Sequence, residues 1–473
     1  MTACHANAEI ANPIASLMSF LDEHARATEP GADFGAFEII VRGLFASAEA
    51  QLVGRELGRH DVDVPHVVID GVLHRRAGRN EKRYMTVAGP VVVERTVYRS
   101  GENRTVAAMD LRAGVVAGWW TPQAAKLATW AMAHLPSSEA EELFQRSGQM
   151  APSRSSLDRL PKLLSVTWEE RRVEFERDVR LREPSIPDDT VSVAVCVDGV
   201  MLPMRDADRA GKRAAALAKG TPPTGPAGYK EAACASLAFY DSDGERLATR
   251  YLGRMPESGK VSLKRMMIDE LADILVECPE LTVVGCADGA RDNWTFLSEL
   301  VPRDNSHLCL DFYHAVGHLH EALVAAYGAG SEEPKFIELR QVLQNDLRGA
   351  DMVIRHLAYR LGRLSKSKKK RRAVLARELK YMRKHRHHMG YAELRAAGLP
   401  IGSGVVEAAN KTLVTVRMKR AGATWRGPGG QAVLTFRALS KSGRFDIAWD
   451  CLARSSHTQV DLVDNVVQFK RAA

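Results

Sequence analysis

Thr190-Val-Ser-Val-Ala-Val-Cys-Val-Asp-Gly-Val200 is a short β-branched run that closes on a turn signal; five of its eleven residues are valine, and Asp198-Gly199 ends the apolar part. An apolar run without polar alternation predicts a strand buried on both faces, followed by a tight turn. Asp198 then stands at the carboxyl end of a central strand, where open α/β sheets place their chemistry. The rest of the chain is read for carboxylates that could reach it.

Downstream, Lys230–Tyr240 and Leu247–Leu252 predict two more strands, joined by a turn at Asp241-Ser-Asp-Gly. Val261, Leu263, Met266, Met267, Leu271 and Ile274 recur at helical spacing within 258–276. Leu281–Ala287 is a fourth strand that again runs into Asp-Gly, at Asp288-Gly289. A short helix over Trp294–Leu300, a strand over Ser306–Leu310 and a helix over Phe312–Tyr327 follow. The order β-β-β-α-β-α-β-α predicts an α/β core of the ribonuclease H type. The segment 206–228, rich in Lys, Arg, Gly and Pro, is expected to be a loop, and 328–398 reads as all-helical and very basic.

Ahead of this core, 1–64 reads as helical through Phe37, Ile39, Ile40, Leu44 and Phe45. The period changes over Val67–Tyr98, which predicts two or three antiparallel strands with turns at Asp70-Gly71, near Gly78 and at Gly89-Pro90. Its arginines suit a solvated hairpin face or a phosphate-contacting one, and sequence does not choose between them. Thr121-Pro122 starts a helix. Helices near 138–147 and from 153, broken at Gly148–Pro152, resemble a helix-turn-helix with Arg154 and Arg159 near the start of the second helix. Pro184–Asp189 is expected to be a linker.

Composition narrows the class. A chain of 473 residues exceeds one ordinary core, so roughly two to four domains are expected. The net charge of +8 is unevenly spread, which favours a polyanionic partner. Seven scattered cysteines without a Cys-x-x-Cys pair suit a reducing cytosol and argue against a zinc site or a disulfide scaffold. No run of eighteen apolar residues occurs, so no membrane partner and a cytoplasmic location are expected. Aromatic residues, at 6%, are too few to favour stacking on sugars.

Phosphodiester chemistry needs acids that hold two divalent ions about 4 Å apart. Magnesium, with Mn2+ as its substitute, takes oxygen ligands, so two aspartates and a glutamate on rigid elements suffice. Asp198, Asp288 and Glu407, the last just after Gly402-Ser-Gly404, supply them. Taken singly, each Asp-Gly is an ordinary turn and Glu407 an ordinary helix-start residue. Their joint occurrence on one sheet and one later helix is what carries the catalytic reading. Asp311 is expected to cap the helix that follows it. His314 and His318 share a helical face, and a supporting role for Asp311 and His314 beside the acids is expected over zinc hydrolysis.

The succession Val-Asp-Gly, Ala-Asp-Gly-Ala, Leu-Asp-Phe-Tyr-His-Ala and Gly-Ser-Gly-Val-Val-Glu-Ala-Ala-Asn-Lys resembles bacterial insertion-sequence transposases of the DDE class. The ending Arg-Met-Lys-Arg-Ala-Gly-Ala-Thr-Trp, then Gly-Gly-Gln-Ala-Val-Leu-Thr-Phe-Arg-Ala-Leu, is similar to the Kra-type group, relatives of the Mutator-like transposases. The resemblance implies that Asp198, Asp288 and Glu407 form the catalytic, metal-holding triad, with Asp311 and His314 matching an Asp-x-x-His signature. It also implies a helical insertion at 315–400, between the first part of the core (190–314) and its C-terminal part (401–473). Before these lie a helical region (1–64) and a hairpin-plus-helical DNA-binding region (65–185). Transposon-end and target DNA are the implied partners, in a homodimer or larger assembly on DNA, within a bacterial cytoplasm and at the nucleoid when DNA-bound. Lys411, Arg417, Lys419 and Arg420 are expected at DNA phosphates, and Trp425 on a base or in the core. Lys368, Lys369 and Lys370 are expected on flanking DNA or on a solvated face. A nuclease of the same fold that does not join, or a non-cutting DNA-binding descendant, is the alternative.

Overall fold

The computed structural model describes residues 17–26, 33–101, 105–148, 150–205, 209–221, 227–302, 304–402, 404 and 409–463. Among the described residues the chain is mixed α/β with two five-stranded sheets. It divides into two compact units, Met1–Glu170 with Trp449–Ala473, and Arg171–Ala448. The segment 401–473, expected as one piece, is thereby shared between them.

In the first unit, helix α1 (Phe34–Arg59) is capped by Asp33, whose side chain accepts from the Gly35 and Ala36 amides. The sheet is antiparallel, in the order β10-β1-β2-β3-β4, with β1 at His66–Ile69, β2 at Val72–Thr86, β3 at Gly89–Arg99, β4 at Thr105–Val106 and β10 at Val460–Val463. The Asp70-Gly71 turn is as expected, but Gly78 is not a turn. It is a bulge inside β2, where the pairing with β3 skips a residue between Arg76 and Gly78. Glycine tolerates the backbone there at φ 151°. The hairpin arginines divide in two: Arg76 and Arg79 pair with Asp63, and Arg95 pairs with Asp110, whereas Arg75, Arg83 and Arg99 make no ion pair among the described residues. Helices α2 (Pro122–His134) and α3 (Ser137–Ser147) pack on α4 (Arg154–Glu170). Gly148, left-handed at φ 66°, ends α3, and the Arg154 amide donates to Glu141 at 2.9 Å. Arg154 and Arg159 are exposed on α4.

In the second unit, α5 (Arg172–Arg182) precedes a sheet of order β7-β6-β5-β8-β9, with β5 at Ser192–Arg205, β6 at Ala227–Tyr240, β7 at Arg246–Arg254, β8 at Thr282–Ala287 and β9 at Ser306–Leu310. The pairs β5–β6 and β6–β7 are antiparallel; β5–β8 and β8–β9 are parallel. The expected loop at 206–228 contains helix α6 (Arg209–Ala218); residues 206–208 and 222–226 lie outside the described residues. The missing alternation of the opening stretch now has its physical cause. Val193, Val195 and Val197 pack against α7 (Val261–Glu277) and α8 (Arg291–Leu300), while Ala194 and Cys196 pack against Leu413, Val414 and Met418 on the opposite face. Both faces are covered, so both sets of positions are apolar.

A third cluster joins α9 (Phe312–Tyr327), α10 (Glu333–Asn345), α11 (Gly349–Arg363), α12 (Lys369–Lys384) and α13 (Tyr391–Ala396). Helix α14 (Gly427–Lys441) packs on β7, where Gln431 accepts from the Met255 amide and donates to the Gly253 carbonyl. No helix among the described residues is long and apolar enough to cross a membrane.

Candidate active site

The parallel register places the aspartates. Pairing of β5 with β8 runs from Ser192↔Thr282 to Cys196↔Cys286, and two residues further along each strand stand Asp198 and Asp288. Pairing of β8 with β9 ends at Ala287↔Leu310, and the next residues are Asp288 and Asp311. The turn expected at Asp198-Gly199 does not form: β5 runs on to Arg205 beside β6, so Asp198 stands mid-strand, just past the last parallel pair with β8. It lies in a row with Asp288 and Asp311, which directly follow β8 and β9; neighbouring strands lie about 4.8 Å apart. Among the described residues no three metal-ligating side chains converge. Glu407, with Ser403, lies outside them.

Asp198 is even-numbered on β5 and so faces the Leu413 side. There, Asn410 donates Nδ2 to Asp198 Oδ2 at 2.5 Å, from the first residue of a wide π-helical turn over Asn410–Thr415. Such turns are rare and recur at functional sites. The Gly199 amide donates to Asp198 Oδ1 at 2.7 Å. Burial holds the Asp198 carboxyl above its ordinary value and the charge of Asp288 adds to this, while the two hydrogen bonds and Lys260 pull the other way without cancelling it.

Asp288 is held by three contacts. Its Oδ1 accepts from the Ala290 amide at 3.0 Å and from Asn293 Nδ2 at 3.4 Å, and its carbonyl accepts from the Tyr381 hydroxyl at 2.8 Å. Tyr381 comes from α12, so the helical segment reaches the turn that carries the second aspartate. Gly289 has φ 94°, and a Cβ there would lie 2.6 Å from the Tyr381 hydroxyl and 3.2 Å from His385 Nε2. His385 is only 3% exposed, and burial pushes its imidazole down to about 4.

Asp311 caps α9 as expected, accepting from the His314 amide at 2.5 Å, and its own amide donates to the Ala287 carbonyl. His314 and His318 face one another through their Nε2 atoms at 3.2 Å; His318 Nδ1 meets buried Glu378 at 2.5 Å and its ring stacks on Tyr381. The two histidines thus connect the Asp311 cap to Tyr381.

The basic residues expected at DNA sort by exposure. Lys411, Lys419 and Arg420 are exposed, as are Lys368, Lys369 and Lys370. Arg417 is buried with its guanidinium over the Trp425 ring, and half-buried Trp425 donates to the Met418 carbonyl and packs on the core beside Met204. Arg371 and Arg372, next to the exposed lysines, reach back to the carbonyls of Ala325 and Leu361. Sequence reasoning missed Asn410, Asn293, Lys260, Tyr381 and His385 as site residues. Two carried a signal: Asn410 stands within the quoted glycine-led stretch, and His385 lies in the run 384–388, where it reads only as another base.

No family model matches the chain, and no curated protein matches it. Among solved structures it is similar to the Drosophila P element transposase strand transfer complex, at 11% identity and a TM-score of 0.24, over 70% of this chain and 81% of that one. A likeness of that size leaves the function to be argued from the site.

Proposed function

We propose that the chain is a DDE transposase of a bacterial insertion sequence, of the Kra-type group, with a ribonuclease H-like catalytic core and the helical segment 315–400 inserted in it. The observation that carries this reading is the placement of Asp198 and Asp288 side by side, each two residues past the last parallel pair of β5 with β8. The strand order, three antiparallel strands continued by two parallel ones, supports it.

The donor set is all oxygen, and two like charges held together in a partly buried site favour a bound cation, which suits Mg2+ or Mn2+. Asp198 and Asp288 would hold two such ions together with Glu407, which stands three positions before Asn410, a spacing that shares a face wherever the backbone is helical. Bound there, the ions supply an activated water and stabilise the leaving oxygen of a phosphodiester. The chain's own residues do the rest. Asn410 and the Gly199 amide fix the Asp198 carboxylate, Asn293 and Tyr381 fix Asp288, and Asp311 with His314 anchors the neighbouring helix start. Exposed Lys411, Lys419, Arg420, Lys368, Lys369 and Lys370, with Arg154 and Arg159 on the first unit, would contact phosphates. DNA ends must be paired for transfer, so a homodimer or larger assembly is proposed on DNA.

The test is cleavage, with Mg2+, of duplex DNA carrying the sequences that flank the chain's own coding region. The wild-type protein should nick and then join such DNA, while Asp198→Asn and Asp288→Asn bind it without cutting. Cutting without joining would favour a nuclease, and binding without cutting a non-catalytic descendant.

A further inference from the structure

A lysine stands behind the acid pair, on the opposite face of β5 from Asn410. Lys260 precedes α7 in the left-handed conformation, at φ 53° and ψ 34°, directly after Gly259 at φ 66°. A side chain that large is strained in this region and stays there only where its surroundings hold it. Here the conformation carries the ammonium inward: the side chain is 15% exposed, with Nζ 3.2 Å from Asn293 Oδ1 and 3.0 Å from Glu231 Oε1.

Both partners lead to the acids. An ammonium only donates, so the Asn293 atom facing Lys260 is the oxygen, and the amide NH2 is thereby turned to Asp288 Oδ1 at 3.4 Å and the Val197 carbonyl at 3.5 Å. Glu231 fills the space beside Gly199, the residue after Asp198: a Cβ there would lie 1.8 Å from Glu231 Oε1. Lys260 is thus hydrogen-bonded to the group that orients one acid and to the group seated behind the other.

We propose that Lys260 is a positioning residue of the acid pair, which orients Asn293 toward Asp288 and keeps a positive charge behind the two carboxylates until a divalent cation takes over that charge balance. The inference rests on the metal-dependent reading of the site. It has a consequence of unusual sign: the lysine charge opposes cation binding, while its hydrogen bond serves the reaction.

The experiment is Mn2+ titration of the DNA-free protein, read by Mn2+ electron paramagnetic resonance, for wild type, Lys260→Met, Lys260→Arg and Asp198→Asn. Lys260→Met should bind Mn2+ about three- to tenfold more tightly, as expected on removing a like charge several ångströms away. Its DNA cleavage at saturating Mn2+ should fall about tenfold, and Lys260→Arg should keep wild-type Mn2+ affinity. General damage to the fold can only weaken binding, so a gain is not a structural side effect. Unchanged or weaker Mn2+ binding by Lys260→Met, with wild-type binding still abolished by Asp198→Asn, overturns the inference alone. Wild-type Mn2+ binding that does not depend on Asp198 overturns the metal-dependent reading together with it.

Discussion

Asn410 donates its side-chain amide to Asp198 across 212 residues of sequence, joining the first strand of the central sheet to the π-helical turn that follows the glycine-led stretch. The other end of the same amide, Asn410 Oδ1, is buried without a partner among the described residues. A polar group kept at some cost to stability is what a functional site requires. Asn410→Leu removes the useful donor and the unpartnered acceptor together. Cleavage should fall about ten- to hundredfold while the unfolding free energy changes by less than about 1 kcal/mol. Paired denaturant unfolding and cleavage assays check both halves.

Gly289 and Tyr381 should behave as a coupled pair. Gly289→Ala places a Cβ 2.6 Å from the Tyr381 hydroxyl, on a left-handed backbone, and should cost about 1–3 kcal/mol. Tyr381→Phe leaves the Asp288 carbonyl without its donor and should cost about 1 kcal/mol. The double variant lacks the clashing oxygen, so its loss should be smaller than the sum. A double-mutant cycle in urea that proves additive contradicts the contact.

Arg444 carries a buried ion network in the second unit. It meets Glu270 at 2.6 and 2.8 Å and Glu183 at 2.6 and 2.8 Å, and Arg250 joins Glu183 at 2.7 Å. Arg444→Met leaves Glu183 and Glu270 sharing Arg250 and should cost about 3–5 kcal/mol; adding Glu270→Gln, which leaves Arg250 paired with Glu183 alone, should restore part of that. Chemical denaturation of the three proteins decides it.

Glu176 gives a pH dependence of opposite sign to the usual carboxylate. Burial pushes its carboxyl up to about 7 despite Arg172 at 3.5 Å, against 4.5 unperturbed. The folded value exceeds the unfolded one, so the protonated group contributes stability in full below about pH 4.5, and that contribution is lost as pH rises to 7. The loss amounts to about 3 kcal/mol at most. Glu176→Gln should flatten stability across this window and exceed wild type at pH 8. A wild-type and variant difference that does not vary between pH 4.5 and 8 contradicts it.

Neighbouring basic residues at the start of α12 should separate by role. Changing exposed Lys368, Lys369 and Lys370 to Glu should weaken DNA binding and reduce the salt slope by about 0.9 for each phosphate that is no longer neutralised. Arg371→Ala and Arg372→Ala should instead lower stability by about 1 kcal/mol each, since their guanidinium groups hold helix carbonyls. Salt-dependent binding and unfolding measurements distinguish the two groups.

The central strands and the Asp288-Gly289 turn were legible because burial on two faces writes a continuous apolar run, and because glycine marks the turn that follows. The turn expected at Asp198-Gly199 does not form, since β5 continues through Gly199, paired with Ala233, to Arg205, and Asp-Gly inside a strand reads like Asp-Gly after one. Asp311 was legible as a cap for similar local reasons. The Gly78 bulge was not, since a positive φ inside a strand and one inside a turn call for the same residue. Nor were Asn293, Lys260 and Tyr381, whose roles depend on register and on which helix end meets which strand end. The lysine-arginine run shows the limit most clearly: Lys370 and Arg371 look alike in sequence, yet one is exposed and the other caps a neighbouring helix. The pairing of β10 with β1, which returns Val460–Val463 to the first unit, is likewise a long-range choice with no local mark.

The central claim is that Asp198 and Asp288 hold divalent cations for phosphodiester chemistry. Anomalous scattering from Mn2+-soaked crystals tests it most directly. The account predicts one or two peaks at about 2.1 Å from oxygens of both aspartates, with Glu407 at the same ions and no peak in Asp198→Asn. Absence of Mn2+ from this pair, or binding only at the His314–His318 pair, would contradict it.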